Sequence, residues 1–255
     1  MLRMSIITVC FNSVVTIRDT IESVLRQSYS EVEYIIVDGS SNDGTMNVIS
    51  DFRDRIAVVV SEPDDGIYDA MNKAIRISSG DVIGFINADD FLATDYVLEN
   101  IAKEFSKANI DICYGDLCYV REENASTVVR YWKSSEFKIG DFSKGWSPPH
   151  PTFYVRRNVF ERYGRFDQKY EIAADFELML RLMEIHKVHS KYIPSVLVKM
   201  RLGGTTNKSL INIVKQNREI LRALCAHGQK VNPIYFLFHK ALFRGKQFFM
   251  RPKTK

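Results

Sequence analysis

Apolar stretches of two kinds take turns along the first hundred residues. Ser5 to Phe11 is a short apolar run rich in β-branched side chains, the pattern of a buried strand, and Tyr34 to Val37, Ile56 to Val60 and Val82 to Ile86 repeat it. Between them the period lengthens. Thr16 to Gln27 carries Ile17, Ile21, Val24 and Leu25 at helical spacing, Thr45 to Phe52 predicts a short helix after a Gly/Ser/Asn/Asp turn, and Tyr68 to Ile77 predicts a third. Thr94 stands where an N-cap opens a helix running to about Phe105. Strand and helix in this rhythm predict an α/β chain with a mostly parallel sheet and helices on both faces.

The second half is less regular. Ile110 to Tyr114, Thr127 to Tyr131 and Thr152 to Val155 read as strands, Asn158 to Tyr163 and Asp175 to Ile185 as helices, and Val188 to Met200 as extended segments. Trp146-Ser147-Pro148-Pro149-His150-Pro151 is a proline-rich loop. Two amphipathic helices close the chain, Ser209 to Ala226 and Ile234 to Phe249, the latter dense in phenylalanine.

The polar positions collect where strands end. Asn12 follows the first strand, Asp38 the second, Glu62 to Asp65 the third and Asn87 to Asp90 the fourth. In an open parallel sheet these ends form one rim, the place where such sheets bind ligands. Asp and Asn also favour turns, so any one position fits an ordinary loop. Four ends together predict a site.

Charge sharpens this division. From Asn207 onward there are eleven Lys and Arg against one acid, Glu219. That segment carries +10 of a total of +4, which leaves −6 for the rest. An acidic body suits a cation, and a basic tail suits an anionic surface. The four cysteines, Cys10, Cys113, Cys118 and Cys225, form no CxxC pair, so they read as reduced, mostly buried thiols and not as a zinc site. No apolar run approaches the roughly 18 residues of a membrane span. The start has no signal-peptide pattern, and the expectation is a cytosolic chain.

Several segments, taken in order, resemble family 2 glycosyltransferases. They are Ser5-Ile6-Ile7-Thr8-Val9 with Asn12, then Val37-Asp38-Gly39-Ser40-Ser41-Asn42-Asp43-Gly44-Thr45, then Glu62-Pro63-Asp64-Asp65-Gly66-Ile67-Tyr68-Asp69-Ala70-Met71-Asn72-Lys73-Ala74. Asn87-Ala88-Asp89-Asp90 sits where that family carries DxD, and Ala174-Asp175-Phe176-Glu177 where it usually carries Glu-Asp. The resemblance spans about residues 4 to 206. It implies a GT-A fold, Rossmann-like, over residues 1–206, with a nucleotide part of about 1–92, an acceptor part of about 93–206, and a basic aromatic helical extension over 207–255. It further implies an inverting transfer of a hexosyl or N-acetylhexosaminyl group. The donor would be a nucleotide-sugar, by default a UDP-sugar, and the acceptor a glycan or lipid-linked molecule of bacterial surface-polysaccharide synthesis.

Individual roles follow from that resemblance. Asp89 is the expected ligand of Mn²⁺ or Mg²⁺, ions that take hard oxygens and few protein groups. Thr8, Asn12, Asp38, Asp65, Lys73, Asn87 and Ala88 are the expected nucleotide contacts. Lys73 meets phosphate or is simply solvated. Asn87 replaces the first Asp of DxD and leaves a less negative site. Asp175 is the expected catalytic base, a role compatible with capping its helix, and Ala174 removes the second carboxylate. His150 touches metal, diphosphate or acceptor, or is an ordinary loop histidine. Arg201, with Gly203-Gly204-Thr205, closes over the diphosphate or lies on the surface. Trp146 stacks on an acceptor sugar or belongs to the core.

The tail joins basic residues to Tyr235, Phe236, Phe238, Phe243, Phe248 and Phe249. That mixture reads as a helix lying on an anionic membrane, here the inner face of the plasma membrane. Packing on the catalytic domain or in a homodimer is the alternative. Phe11-Asn12-Ser13-Val14 lacks the glycines of a dinucleotide turn, and no GxxxxGK[ST] is present, so neither a Rossmann dehydrogenase nor a P-loop NTPase fits. Nucleic-acid binding could explain the basic tail, but the acidic rim repels phosphates unless a metal intervenes, so no nucleic-acid partner is expected. A non-catalytic sugar-nucleotide-binding or scaffold protein of the same fold is the competing function, because Asn87 and Ala174 depart from the family pattern.

Overall fold

The computed structural model describes residues 2–107, 109–121, 126–202 and 210–252. Its first half runs β1 (Met4–Cys10), α1 (Ile17–Leu25), β2 (Val32–Asp38), α2 (Thr45–Ser50), β3 (Val58–Ser61), α3 (Ile67–Ile77), β4 (Val82–Phe85), β5 (Asp90–Leu92) and α4 (Val97–Phe105). The second half holds β6 (Ile112–Val120), β7 (Val128–Trp132), β8 (Tyr154–Arg156), α5 (Arg157–Tyr163), α6 (Ala174–Met179), β9 (Ser190–Arg201), α7 (Leu210–Ala226) and α8 (Pro233–Phe249).

All strands belong to one sheet in the order β3-β2-β1-β4-β8-β6-β9-β5, with β7 beside β6. β1 pairs in parallel with β2 and β4, and β2 with β3, so their carboxyl ends share one edge as the pattern predicts. β8 runs antiparallel between β4 and β6 and joins the two halves, while β6 and β9 are again parallel. Alternation of side chains along the central strands divides the core in two. Ile7, Val9, Ile35, Val37, Ile83 and Phe85 meet α3, α5, α6 and α7 on one face. Ile6, Tyr34, Ile36 and Val82 meet α1 and α4 on the other.

Three local expectations are corrected. The helix expected from Thr94 begins at Val97 after Tyr96, because Asp90–Leu92 is taken by the short strand β5 paired with β9. β6 does not stop at Tyr114 but continues through Gly115 and Asp116 with register shifts on both sides of Asp116. Asp116 is tolerated in this buried strand because Tyr131 Oη and Tyr192 Oη donate to it, Tyr192 at 2.8 Å, and Ser134 N adds a third bond at 2.8 Å. The helix predicted from Asp175 begins at Ala174 and passes into a π-helical stretch, Leu180–Ile185. Cys10, Cys113 and Cys118 are buried and Cys225 is exposed, all four free.

The tail packs on the domain along one side. Phe236 is fully buried in the core, and Arg130 Nε donates to the buried Gln247 Oε1 at 2.6 Å. Gly145, with φ +81°, lets α8 approach closely: a Cβ there would lie 3.1 Å from the Lys240 Cβ and backbone nitrogen. Among the described residues no helix is long and apolar enough to cross a membrane.

The junction of the two halves is equally tight at Gly84, where a Cβ would lie 2.2 Å from the Tyr154 ring, itself buried under the sheet. Gly84→Ala is therefore expected to lower the unfolding free energy by about 1–3 kcal/mol through overpacking. Urea unfolding followed by circular dichroism checks this, and an unchanged midpoint contradicts the packing argument.

Candidate active site

The ends of β1, β2 and β3 are organised by Asp38, the last residue of β2 and fully buried. Its carboxylate accepts from Ser41 N at 3.0 Å, from Ser41 Oγ, from Ser61 Oγ at 2.7 Å and from Cys10 Sγ at 3.5 Å. These four donors come from β1, β3 and the loop after β2, so one side chain ties three strand ends together. Ser41 Oγ also accepts from Asn12 N at 2.8 Å, and Asn12 Oδ1 accepts from Asn42 N at 3.0 Å. Asn12 adopts φ 48°, a left-handed conformation that asparagine tolerates. Asp43 finishes the loop by accepting from Val14 N at 3.1 Å and Thr45 N at 3.0 Å.

At the third strand end Asp64 reaches toward β2. A Cβ on Gly39 would lie 2.6 Å from Asp64 Oδ2, so Asp64 leans over the turn that follows Asp38. Asp65 is exposed, and its backbone N–H bonds Asp69 Oδ2 at 3.3 Å. Lys73 is occupied within the same loop, with Nζ 2.7 Å from Pro63 O, 3.0 Å from Glu62 and 3.2 Å from Asp69. Thr8 is buried, with its hydroxyl 3.0 Å from Tyr34 Oη.

Residues 87–90 form the turn between β4 and β5. Asp90 N closes it on Asn87 O at 3.0 Å, Asn87 Nδ2 donates to Asp90 Oδ2 at 2.9 Å, and Ala88 packs into the core. Asp89 is half-buried on this turn. Arg201, at the end of β9, is clamped against it: one guanidinium nitrogen donates to Asp89 O at 3.2 Å, another pairs with Asp19 of α1, and the group lies over Phe91 at 5.1 Å. Gly203-Gly204-Thr205 lies outside the described residues. Burial first, and the Asp89 charge second, push Asp90 well above the usual carboxylate range. Its Oδ1 is buried without a hydrogen-bond partner.

An orphaned carboxylate oxygen next to a second carboxylate is a donor set that a hard divalent ion fits. Among the described residues no three His, Cys, Asp or Glu side chains converge into an all-protein cage. Magnesium-type ions bound together with a diphosphate do not need one, since phosphate and water complete their shell.

A second group of polar side chains lies across α3 and α6. Tyr68, near the start of α3, donates to Asp175 Oδ1 at 3.2 Å and to Ile172 O at 3.0 Å. Phe176 N also donates to Asp175 Oδ1, at 2.8 Å. Asp175 is half-buried and is the second residue of α6, after an N-cap position held by Ala173, so it is not the capping residue. Burial lowers His150 below its usual range, with the Asp175 charge pulling the other way, which leaves a neutral imidazole beside a carboxylate. The ring stacks on Phe85 at 5.8 Å, two residues before Asn87, and this stack joins the two ends of the site. Trp146 is 6 % exposed among Tyr114, Phe137 and Phe142, so it belongs to the core and offers no open face to a sugar.

The structure thus brings Asn12 and Asp38 together, Asn87 to Asp90 with Arg201, and Asp175 with His150. Ser41, Ser61, Asp64, Tyr68 and Asp19 complete these groups. Gly39 beside Asp38 was the one local hint that another chain segment approaches there.

Residues 5–164 match the family model described as Glycosyl transferase family 2. The chain is 31 % identical over 180 residues to an uncharacterised glycosyltransferase of Mycobacterium tuberculosis (strain H37Rv), covering 69 % of this chain and 67 % of that one. Among solved structures, Staphylococcus aureus TarS 1–349 in complex with UDP-GlcNAc superposes with a TM-score of 0.68 at 14 % identity, covering 95 % of this chain and 71 % of that one. The mannosyltransferase PcManGT from Pyrobaculum calidifontis, in complex with GDP-Man and Mn²⁺, gives 0.67 at 19 %, covering 95 % and 70 %. At such identities the two structures speak for the fold, which is GT-A.

The tail reaches this end of the molecule through Lys240, whose Nζ donates to Asn217 Oδ1 at 2.7 Å. Burial, and then Arg244, pull its ammonium down to about 8, while the Asp175 charge opposes them. The folded value lies below the ~10.4 of an unfolded lysine. The charged form therefore costs stability below the folded value, and the cost fades as pH rises through this interval. Lys240→Met removes the titration. Its melting temperature is expected to exceed wild type near neutral pH and the gap to narrow between about pH 8 and 10. Calorimetry across that range checks it; a gap that does not change with pH contradicts it.

Proposed function

The chain belongs to glycosyl transferase family 2, and from that premise we propose an inverting transfer from a nucleotide-sugar to a hydroxyl of a glycan or lipid-linked acceptor in bacterial surface-polysaccharide assembly, with Asp175 as base. The observation that carries this reading is the setting of Asp175. A half-buried carboxylate is held by Tyr68 Oη and Phe176 N, and its charge acts against the burial that lowers His150 below its usual range. The Tyr68 phenol is pushed well above its usual range, by burial first and then by the Asp175 charge, so it remains a donor to that carboxylate.

The acceptor oxygen attacks the anomeric carbon as the bond from that carbon to the diphosphate breaks, and the acceptor's proton passes to Asp175. The nucleoside diphosphate leaves with the electron pair. Asn12, Asp38 and Asp64 line the loops that would receive base and ribose. Arg201 stands beside the Asn87–Asp90 turn, with a planar group suited to the diphosphate. Asp89 and Asp90 would hold Mn²⁺ or Mg²⁺, which supplies charge stabilisation for the departing diphosphate when bound. A UDP-sugar is the preferred donor; the TarS complex with UDP-GlcNAc supports it, and the PcManGT complex keeps GDP-sugars in the test.

The side of α8 opposite Phe236, Lys240 and Gln247 carries Ile234, Phe238, Leu242 and Phe249, all exposed, with Lys246 and Arg251 also in solvent. We read that face as a peripheral contact with the anionic inner surface of the plasma membrane, which would bring a lipid-linked acceptor to Asp175.

Two measurements test these assignments. Release of nucleoside diphosphate from UDP- and GDP-sugars with Mn²⁺ is expected to fall by about 10²–10⁴-fold in Asp175→Asn, with nucleotide affinity retained. In Asp89→Ala the thermal stabilisation by nucleotide is expected to lose its dependence on Mn²⁺. Activity unchanged in either variant removes the corresponding role. Separately, Phe238→Ser/Phe249→Ser is expected to reduce co-sedimentation with phosphatidylglycerol vesicles while leaving donor hydrolysis intact; equal sedimentation rejects the membrane contact.

A further inference from the structure

The one acid among the eleven basic residues of the tail is not at the surface. Glu219, on α7, is 8 % exposed. Its Oε1 accepts from Glu171 N at 3.2 Å, and its Oε2 from Ile172 N at 2.9 Å and Ala173 N at 3.0 Å. Three consecutive main-chain N–H groups thus converge on one carboxyl group, an arrangement that holds the backbone firmly. These three residues lead directly into α6. Ala173 occupies the N-cap position and has no side chain able to cap it. Ala173 O accepts the first α6 bond, from Glu177 N at 3.0 Å. The carboxylate on α7 therefore anchors the segment that enters α6, upstream of the first-turn N–H groups that a side-chain cap would take.

The grip extends to Asp175. Ile172, whose N–H is held by Glu219, presents its carbonyl to Tyr68 Oη at 3.0 Å, and the same hydroxyl lies 3.2 Å from Asp175 Oδ1. A phenol has one proton to donate. Where the Ile172 carbonyl lies thus decides how that proton is shared with the base. The turn directly after α7 also holds α6 farther along, through His227 Nε2, 2.8 Å from Glu177 Oε1. That second contact touches neither the 171–173 backbone nor Tyr68.

We propose that Glu219 is a positioning residue of the transfer reaction: by fixing the backbone of residues 171–173 it sets the direction in which α6 and Tyr68 hold Asp175 toward the acceptor hydroxyl. The inference rests on Asp175 being the base. It makes the basic tail part of the catalytic machinery through α7, whatever surface α8 meets.

The test uses the full chain with Glu219→Ala, Glu219→Gln, His227→Ala and Asp175→Asn. It reads release of nucleoside diphosphate from UDP- and GDP-sugars with Mn²⁺, and amide hydrogen exchange at Phe176, whose N–H bonds Asp175 Oδ1. Glu219→Ala is expected to lower kcat by about 10–100-fold, the scale of a displaced catalytic group, with the donor KM unchanged. Exchange at Phe176 is expected to quicken in parallel. Glu219→Gln, which keeps an oxygen acceptor, is expected to recover much of the loss, and His227→Ala to leave kcat and Phe176 exchange near wild type. The proposal is overturned if the Glu219 variants fold and keep both wild-type kcat and wild-type exchange at Phe176 while Asp175→Asn is inactive. It is equally overturned if Glu219→Ala and His227→Ala behave alike, which marks a packing role only. Full activity in Asp175→Asn marks a different failure, that of the base assignment, and takes this proposal with it.

Discussion

A carboxylate removed from water must be surrounded by donors or give up its charge, and in this molecule that requirement fixes the loops that form the site. Asp38 is the central case. It ends β2 fully buried, and only the gathering of Ser41, Ser61 and Cys10 around it satisfies both oxygens. Because those donors belong to separate segments, satisfying Asp38 fixes the ends of β1, β2 and β3 relative to one another. Asn12 and Asp64 then take their places on the rim as a consequence.

The same device recurs away from the rim. Glu33, nearly buried, accepts from Ser79 N at 2.8 Å and Gly80 N at 3.3 Å and pins the entry to β4 from beneath. Asp116 does so for β6, β7 and β9, and Glu219 for the approach to α6. For Asp38, Glu33 and Glu219 a strand or helix supplies the carboxylate and an irregular segment supplies N–H groups, whereas Asp116 draws its hydroxyl donors from β7 and β9 and one N–H from the loop after β7. The irregular segments carry the chemistry, and the regular elements hold them through charge-assisted bonds. Asp90, on the rim, differs from these four: it is buried, yet its Oδ1 has no donor, a state it shares with Glu184 Oε2 elsewhere in the molecule.

The first half of the fold was legible because parallel strands buried on both faces are written as unbroken apolar runs, as in Ile6 to Cys10 and Tyr34 to Val37. β5 was not, since three residues beginning with Asp90 give no period, and Thr94 imitates an N-cap. β6 was cut short for a related reason. Gly115-Asp116 breaks its apolar run, and the residues that make the break harmless, Tyr131 and Tyr192, lie 15 and 76 positions away. Of the site, the polar strand ends and the order of the motifs could be read directly. Ser61 and Glu219 could not, nor could the contacts that Asp64 and Tyr68 make. Each acts through a partner distant in sequence, as Tyr68 does on Asp175 across 107 positions. Trp146 left two readings open in the sequence, a stacking platform or a core residue, and Tyr114, Phe137 and Phe142 pack around it.

Gly145 carries a different kind of constraint. With α8 seated directly against its α-carbon, a single hydrogen sets the stand-off between the last helix and the catalytic body. The outward stripe of Ile234, Phe238 and Leu242 is therefore locked in azimuth relative to the strand-end rim. Any flat surface that receives the stripe also dictates the tilt at which the rest of the molecule stands above it.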